Sequence, residues 1–205
     1  MHIMDGILSW PVVSAGFLFT AAGASWGLSK LREEDMPKTA CMASAFFAAS
    51  LVHVPIGPSS AHLLLNGLAG LILGPAAFPA ILVGLALQAA LFQFGGFKSL
   101  GVNAFDMGFP AILCWLALGA AARRSQGWLS FATGFGAGFA GVFLSCLFTA
   151  LALAFSGGVF SNAAALLFVA HAPVAIVEGL VSGFALVFLK KASPAIFEEK
   201  EIVPC

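Results

Sequence analysis

Residues 129–155 read LSFATGFGAGFAGVFLSCLFTALALAF, a run of 27 residues that contains no charged side chain. A helix needs about 20 consecutive apolar residues to cross the hydrocarbon core of a bilayer, so this run predicts a membrane-spanning helix. Gly134 and Gly138 within it have the GxxxG spacing that lets two helix backbones approach closely. The run therefore predicts a tightly packed bundle of helices in a membrane.

The composition of the whole chain agrees with this run. A soluble domain carries about 25% charged residues, whereas 9% of these 205 residues are charged and 60% are hydrophobic. The net charge is zero at pH 7, which leaves no basic surface for a nucleic-acid partner. We expect one all-α integral membrane domain over residues 1–205, multi-pass in the lipid of the cell (inner) membrane. Its parts are an N-terminal segment 1–10, a helical bundle 11–192 and a short cytoplasmic tail 193–205.

Hydrophobic runs predict about seven transmembrane helices, and the basic residues predict their orientation. The chain has nine Lys and Arg residues, and with seven spans only Lys98 falls on the opposite side from the others. Lys and Arg concentrate in cytoplasmic loops, so we predict an N-terminus outside the cell and a C-terminus inside it. The predicted spans are 12–29, 39–54, 62–73, 76–94, 107–122, 129–155 and 163–189.

The first six residues, MHIMDG, predict a metal ligand. They lack the basic and small-residue pattern of a cleaved leader, so we expect a free α-amino group on Met1. That amine, the backbone nitrogen of His2 and its ring Nδ1 can form two fused chelate rings, with three nitrogens in one plane. A planar nitrogen set suits Ni²⁺, Cu²⁺ or low-spin Co²⁺ rather than tetrahedral Zn²⁺. The alternative is an exposed terminal histidine without a role.

The stretch VHVPIGPSSAHLLLNGL, residues 52–68, predicts the fourth ligand. Its prolines and glycine end the second span, and Ser60 is a candidate cap for the next helix. His62 then falls in the first turn of a short span, with Asn66 on the same helix face. Short spans interrupted by Gly and Pro mark binding sites in transporters. His62 is the predicted ligand, and the alternative is a histidine that simply lies at the membrane interface.

Five other polar residues are weaker candidates for orienting a ligand or for gating. A ligating histidine needs a carboxylate or carbonyl on its second nitrogen, and Asp5 can supply one, as can Asn103 and Asp106 in a predicted outer loop, residues 94–108. His171 and Glu178 lie on one face of the last span. An acid inside a span is a functional candidate, although Glu178 could equally form a structural pair, for instance with the amide of Gln88.

At this point the sequence resembles the CbiM/NikM family, over essentially the whole chain. The resemblance rests on MHIMDG at the start, PIGPSSAH at residues 55–62, GGFKSLGVNAFDMG at residues 95–108 and HAPVAIVEG at residues 171–179. These proteins are the substrate-specific membrane components of energy-coupling-factor transporters for cobalt and nickel, connected with cobalamin biosynthesis. The resemblance implies an N-terminus inserted into the bundle from outside. It implies an ion held by the Met1 amine, the amide nitrogen and ring of His2, and His62.

The resemblance also implies partners. These are a small membrane subunit of the CbiN/NikN type, a transmembrane coupling protein of the CbiQ/NikQ type and an ATPase of the CbiO/NikO type. The chain has no GxxxxGK[ST] motif, so we expect ATP hydrolysis in the partner and no catalysis or bound cofactor in this chain, with Co²⁺ or Ni²⁺ as the transported ion. One alternative is an intramembrane metalloenzyme that uses His62, His171 and Glu178. Another is a binding component for an organic vitamin.

Overall fold

The computed structural model describes residues 2–51, 53–56, 59–157 and 161–197. The described part contains seven α-helices and one β-hairpin, which confirms the prediction of an all-α membrane bundle in its main feature. The hairpin is formed by β1 (His53–Ile56) and β2 (Ser59–His62). The helices are α1 (Trp10–Ser29), α2 (Met36–Ala49), α3 (Asn66–Leu73), α4 (Ala77–Phe92), α5 (Leu100–Arg124), α6 (Gly127–Ser156) and α7 (Ser161–Ala192).

The seven helices follow the order of the seven predicted spans, but not all of them cross a bilayer by themselves. α2 has 14 residues and α3 has 8, fewer than the roughly 20 that a full crossing needs. The predicted span 62–73 is therefore wrong as a complete crossing. Five helical stretches of the described residues are long and apolar enough: Trp10–Ser29, Asn66–Phe92, Leu100–Arg124, Gly127–Ser156 and Leu167–Ala192.

Two local predictions are corrected by the structure. Ser60 and His62 lie in β2, paired with Pro55 and His53 of β1, so neither is in a first helical turn and Asn66 shares no helix face with His62. Proline lacks a backbone N–H and interrupts helices, and here the interruption continues as a hairpin. The second correction is that the predicted outer loop 94–108 is mostly helix, because α5 begins at Leu100.

The chain reverses direction between α3 and α4. α3 begins four residues after His62, and α4 ends four residues after Gln88. Both His62 and Gln88 contact His2, so the start of α3 lies beside the end of α4. The two helices therefore run in opposite directions, and Asn66–Phe92, although long and apolar enough in sum, is not one straight membrane-spanning helix. Gly74 occupies the reversal with a φ of 57°, a conformation that glycine adopts without strain.

The long helices α6 and α7 pack closely, as the GxxxG spacing predicts. A side chain at Gly138 would lie 2.5 Å from the carbonyl oxygen of Glu178, and one at Gly134 would lie 2.6 Å from that of Ser182. Because both positions are glycine, the two backbones can approach to this distance. This contact brings Glu178 of α7 into the centre of the bundle.

The basic residues of the described part collect at one end of the bundle. The Lys190 ammonium at the end of α7 donates to the carbonyl oxygens of Arg123 and Ser125, where α5 ends. The end of α1 packs against the beginning of α4, because a side chain at Gly27 would meet Pro79 at 2.5 Å. Lys98 lies at the opposite end, next to the N-terminal segment. The charge separation is as predicted, and the assignment of the basic end to the cytoplasm stays a prediction.

Candidate metal centre

The N-terminal segment is inserted into the bundle. His2 is 5% exposed and Ile3 is buried, with Ile3 in one apolar cluster with Val102 of α5 and Leu153 of α6. Asn103 of α5 binds both backbone groups of Ile3: its Oδ1 accepts from Ile3 N at 2.8 Å, and its Nδ2 donates to Ile3 O at 3.1 Å. This pairing fixes the direction in which the chain enters the bundle, and thereby the position of His2.

Asp5 anchors the same segment at a position farther along the chain from His2. Its carboxylate accepts hydrogen bonds from Ser99 N at 2.9 Å and Ser99 Oγ at 3.0 Å, at the beginning of α5. A negative side chain is favourable at a helix N-terminus. Gly95 and Gly96 precede this point with φ of 76° and 86°. A side chain on Gly96 would lie 2.4 Å from the Asp5 carboxyl group, so the glycine pair lets the loop close over the segment.

His2 and His62 face each other across the predicted site. His62 is 3% exposed, and its Nε2 lies 3.0 Å from Nδ1 of His2. The chelate argument names His2 Nδ1 as a ligand, and the family resemblance implies His62 as another. Metal–imidazole bonds of about 2.0–2.1 Å place nitrogens at adjacent corners of a square about 2.9 Å apart. The observed spacing therefore matches two neighbouring ligands of one planar ion.

The outer nitrogens of both rings meet oxygen atoms that can only accept. His2 Nε2 is 2.6 Å from Oε1 of Gln88, and His62 Nδ1 is 2.9 Å from the carbonyl oxygen of Leu63. Each outer nitrogen must therefore carry the proton of its neutral ring. The inner nitrogens, His2 Nδ1 and His62 Nε2, then both present lone pairs to the same point. A cation between them would convert this repulsive pair into two bonds.

Burial also keeps His62 in the form that binds metal. The buried position lowers the pKa of His62 well below its ordinary value of 6.5, because burial disfavours the charged ring. An imidazole ligand must be neutral to bind an ion. His62 is consequently ready for coordination at neutral pH without losing a proton.

Glu178 positions the chain immediately after His62. It is 0% exposed; its Oε2 accepts from Leu64 N at 2.9 Å and its Oε1 from Leu65 N. Leu65 has a φ of 50°, a conformation that costs a bulky residue energy. Both carboxylate oxygens are thus engaged with backbone N–H groups. These contacts are structural: Glu178 supports the backbone that follows His62.

Asn66 lies behind the site and ties three helices together. Its Nδ2 donates to Met107 O at 3.0 Å and to Ser145 Oγ at 2.9 Å, and its Oδ1 accepts from Gly67 N at 2.9 Å. Asn66 therefore joins the beginning of α3 to α5 and α6. It orients the helix that follows the His62 segment.

The three remaining weak candidates are Asp106, His171 and Ser60. Asp106 accepts from Thr149 Oγ1 at 3.1 Å in the interface between α5 and α6. His171 is buried and its Nδ1 is 2.8 Å from the carbonyl of Leu167, one turn earlier in α7. Ser60 is described by its backbone in β2 alone. Asp106 therefore faces Thr149, whereas His171 lies within electrostatic reach of His62.

The described side chains do not make a complete metal site by themselves. No group of three His, Cys, Asp or Glu side chains converges within residues 2–51, 53–56, 59–157 and 161–197. Two histidine nitrogens are present, so an ion there needs further ligands from the backbone or the terminus. The amide nitrogen of His2 is adjacent to the ring, while Met1 lies outside the described residues.

Sequence reasoning missed the contacts that Gln88 and Ser99 make with the N-terminal segment. Gln88 appeared there only as a conceivable partner of Glu178, whereas it contacts His2 and Ser50. Ser99, which binds Asp5, was not singled out at all. The available signal was the isolation of Gln88 in an apolar run, since a buried amide must have partners.

Comparison with known proteins places the chain among metal transport proteins. Residues 2–196 match the model of the CbiM family, described as the cobalt uptake substrate-specific transmembrane region. The chain is 38% identical over 203 residues to a putative metal transport protein of Haemophilus influenzae, which covers 98% of each chain. It is 31% identical to putative cobalt transport protein CbiM 1 of Methanocorpusculum labreanum, over 99% of this chain and 94% of that one.

Further relatives include a longer protein and solved structures. The putative fused nickel transport protein NikMN of Archaeoglobus fulgidus is 29% identical, over 98% of this chain and 69% of that one. A crystal structure of a transition metal transporter is similar with a TM-score of 0.79 and 25% identity, over 93% of each chain. A truncated transition metal transporter has a TM-score of 0.76, also at 25% identity, over 93% of this chain and 99% of that one.

Proposed function

The chain belongs to the CbiM family of cobalt uptake substrate-specific transmembrane proteins, and on that premise we propose that it captures Ni²⁺ or Co²⁺ with a planar set of four nitrogens. The ligands are the Met1 amine, the deprotonated amide nitrogen of His2, His2 Nδ1 and His62 Nε2. The observation that carries the proposal is the 3.0 Å distance between the two inner ring nitrogens. The outer nitrogen of each ring meets an oxygen acceptor, which leaves the inner nitrogens for the ion.

The proposed order of ligands fits the described spacing. In the fused chelate, the His2 amide nitrogen lies between the amine and Nδ1, so the vacant corner of the square adjoins His2 Nδ1. His62 Nε2 is the atom found next to Nδ1. A planar nitrogen set favours Ni²⁺, Cu²⁺ and low-spin Co²⁺ and excludes Mg²⁺ and Ca²⁺, which require oxygen ligands.

The proposed role is transport without covalent chemistry. The ion enters from the outer face, is enclosed by the N-terminal segment and the glycine loop at Gly95 and Gly96, and leaves toward the cytoplasm when partner proteins rearrange the bundle. The partners we propose are a coupling membrane protein of the CbiQ/NikQ type and an ATPase of the CbiO/NikO type. A small subunit of the CbiN/NikN type is also proposed, because the relative from Archaeoglobus fulgidus is a NikMN fusion and this chain spans 69% of its length.

The alternative of an intramembrane metalloenzyme has less support. It requires Glu178 to face the ion or the substrate, and both Glu178 oxygens accept from the backbone N–H groups of Leu64 and Leu65. His171 donates within its own helix. An enzyme would also have no use for a free terminal amine.

The proposal is tested by metal content after loading with Ni²⁺ and desalting. Wild-type protein should retain about one ion per chain, whereas an added N-terminal glycine, His2→Ala and His62→Ala should each lose it. Met4→Leu is the matched control, since Met4 is an exposed residue of the same segment and is no ligand in the proposal. His171→Ala should retain the ion. Equal metal in wild type and the extended form would overturn the terminal chelate, and loss in His171→Ala alone would favour the enzyme.

A further inference from the structure

The outer nitrogen of His2 faces an amide buried inside the bundle. Gln88 is 0% exposed within the apolar run AILVGLALQAALF, residues 80–92 of α4. A buried amide without partners costs about 1–3 kcal/mol, so both of its ends need a hydrogen bond. Its Oε1 lies 2.6 Å from His2 Nε2, and its Nε2 donates to the hydroxyl of Ser50 at the end of α2. Three buried groups are therefore connected in series.

Ser50 decides which end of the Gln88 amide faces His2. The Ser50 hydroxyl has one proton, which it donates to the carbonyl oxygen of Phe47 at 2.8 Å. Its oxygen can then only accept from Gln88, so the NH₂ end of the amide must point toward Ser50. The opposite orientation would leave the Ser50 and Phe47 oxygens facing each other without a proton between them. The oxygen of Gln88 is thereby presented to His2.

We propose that Gln88, oriented by Ser50, is a positioning residue that holds the neutral His2 ring in its Nε2–H form and keeps Nδ1 open for the ion. The proposal rests on the proposed function, because it assumes that Nδ1 is a ligand. Gln88 acts through His2 and does not touch the ion.

The reason for such a device lies in the distance between the two histidines. Without an acceptor on its outer side, His2 could move its proton to Nδ1 and donate to His62 Nε2, which lies 3.0 Å away. That hydrogen bond would occupy both inner nitrogens, and an incoming ion would have to break it. His62 has its own main-chain acceptor, Leu63 O, so only the His2 ring depends on a distant side chain. Gln88 therefore prevents the two histidines from pairing with each other.

A purely structural role for the same contacts is the competing explanation. Gln88 and Ser50 also join α4 to α2, and their loss would loosen the bundle irrespective of His2. The two explanations differ in the state of the His2 ring in metal-free protein. A structural link does not depend on which ring nitrogen carries the proton, whereas the positioning role does.

The test combines ¹⁵N NMR of histidine-labelled, metal-free protein with Ni²⁺ affinity measured by chelator competition. The variants are Gln88→Leu, which removes the whole amide, and Ser50→Ala, which removes only the hydroxyl that orients it. Thr149→Val is the control, because it also removes a buried side-chain hydrogen bond, to Asp106, away from the site. Loss of outer-shell partners lowers metal affinity by about 10- to 100-fold, and we expect that loss in Gln88→Leu with a smaller one in Ser50→Ala.

Wild type should show the Nε2–H form of His2, and Gln88→Leu should show a shift toward Nδ1–H. Thr149→Val should match wild type in affinity. An unchanged His2 signal in Gln88→Leu, or an Nδ1–H form in wild type, would overturn the inference; the wild-type result does so even if the variants fail to fold. Failure of the proposed function appears differently, as a wild-type protein that binds no Ni²⁺ while its His2 ring still shows the Nε2–H form.

Discussion

His2 and His62 reach the same point from two regions of the chain that are anchored in different ways. The N-terminal segment is held by several independent contacts: two hydrogen bonds to Asn103, the Asp5 carboxylate on Ser99, and the burial of Ile3. The segment after His62 is held by the burial of Leu64 and by the Glu178 carboxylate, which accepts from two consecutive backbone N–H groups. The hydrogen bonds that hold the N-terminal segment are thus distributed over several residues, and the side-chain hydrogen bonds described for the segment after His62 are concentrated on one carboxylate.

This difference is explained by what each region would do without its contacts. A chain terminus has no covalent connection on one side and frays unless it is tied down. The His62 segment is already joined to β2 before it and to α3 after it. It requires only that the unusual backbone at Leu65 be kept in place. The comparison predicts that removing one contact is severe at Glu178 and milder at each contact of the N-terminal segment.

The largest effect is expected for Glu178→Leu. The substitution leaves the N–H groups of Leu64 and Leu65 buried without acceptors, at about 1–3 kcal/mol each. We expect a clear fall in the thermal midpoint in detergent and a loss of Ni²⁺ affinity near the upper end of the roughly 10- to 100-fold range for outer-shell changes. Glu178→Gln keeps one acceptor oxygen and should lie between Glu178→Leu and wild type. Equal Ni²⁺ affinity in all three proteins would show that the His62 segment is held by other contacts.

A smaller effect is expected for Asn103→Leu. Ile3 loses both hydrogen bonds to Asn103, but Ser99 Oγ still donates to Ile3 O at 2.7 Å, and Asp5 and the apolar packing of Ile3 still hold the segment. We expect Ni²⁺ affinity to fall by about 10-fold, the lower end of the outer-shell range. Asn103→Asp keeps the acceptor for Ile3 N and is the matched control. An effect of Asn103→Leu larger than that of Glu178→Leu would reverse the comparison between the two regions.

A still smaller effect on Ni²⁺ affinity is expected for Asp5→Asn. Asp5 is exposed, and a carboxylate at a helix N-terminus contributes about 0.3–1 kcal/mol. The amide keeps an acceptor oxygen for Ser99, so the expected change in Ni²⁺ affinity is at most a few-fold. The charge contribution is screened by salt, so the difference from wild type should shrink as ionic strength rises. A difference that does not depend on salt would assign the effect to geometry instead.

The smallest effect is a dependence of stability on pH in metal-free protein. The pKa of folded His62 is lowered below 6.5, so the unfolded chain binds more protons below about pH 6.5. The free energy of unfolding should therefore fall as the pH decreases below that value, by no more than about 1.4 kcal/mol per pH unit from this group. His62→Gln should show a correspondingly shallower decline between pH 7 and 5. Parallel curves for the two proteins would contradict the burial argument.

The two histidines of the proposed site could be named from the sequence, because the argument for each rests on local chemistry. His2 follows from the chelating capacity of a terminal amine and its neighbouring amide, which requires no knowledge of the fold. His62 follows from an interrupted hydrophobic segment with a histidine at its end. Asp5 and Asn103 were expected to orient a histidine ring, whereas the structure has Asn103 on the backbone of Ile3 and Asp5 on Ser99, and Gln88 meets the outer nitrogen of His2.

The contacts between distant segments could not be predicted in the same way. The hairpin at residues 53–62 was mistaken for helix ends because prolines stop a helix without saying what replaces it. The predicted outer loop 94–108 contains Gly101 and Gly108; a side chain at Gly101 would lie 2.8 Å from Phe17 and one at Gly108 2.9 Å from Phe78. These two glycines allow close packing of α5. Gln88 required knowledge of which helix faces the terminus, and that depends on the whole bundle.

X-ray absorption at the nickel edge of the loaded wild-type protein tests the central claim most directly. The account predicts four nitrogen ligands at a single short distance, with the pre-edge feature of square-planar Ni²⁺ and imidazole scattering from two rings. A six-coordinate ion with oxygen ligands, or a sulfur ligand, would contradict the planar chelate made from the chain terminus, His2 and His62.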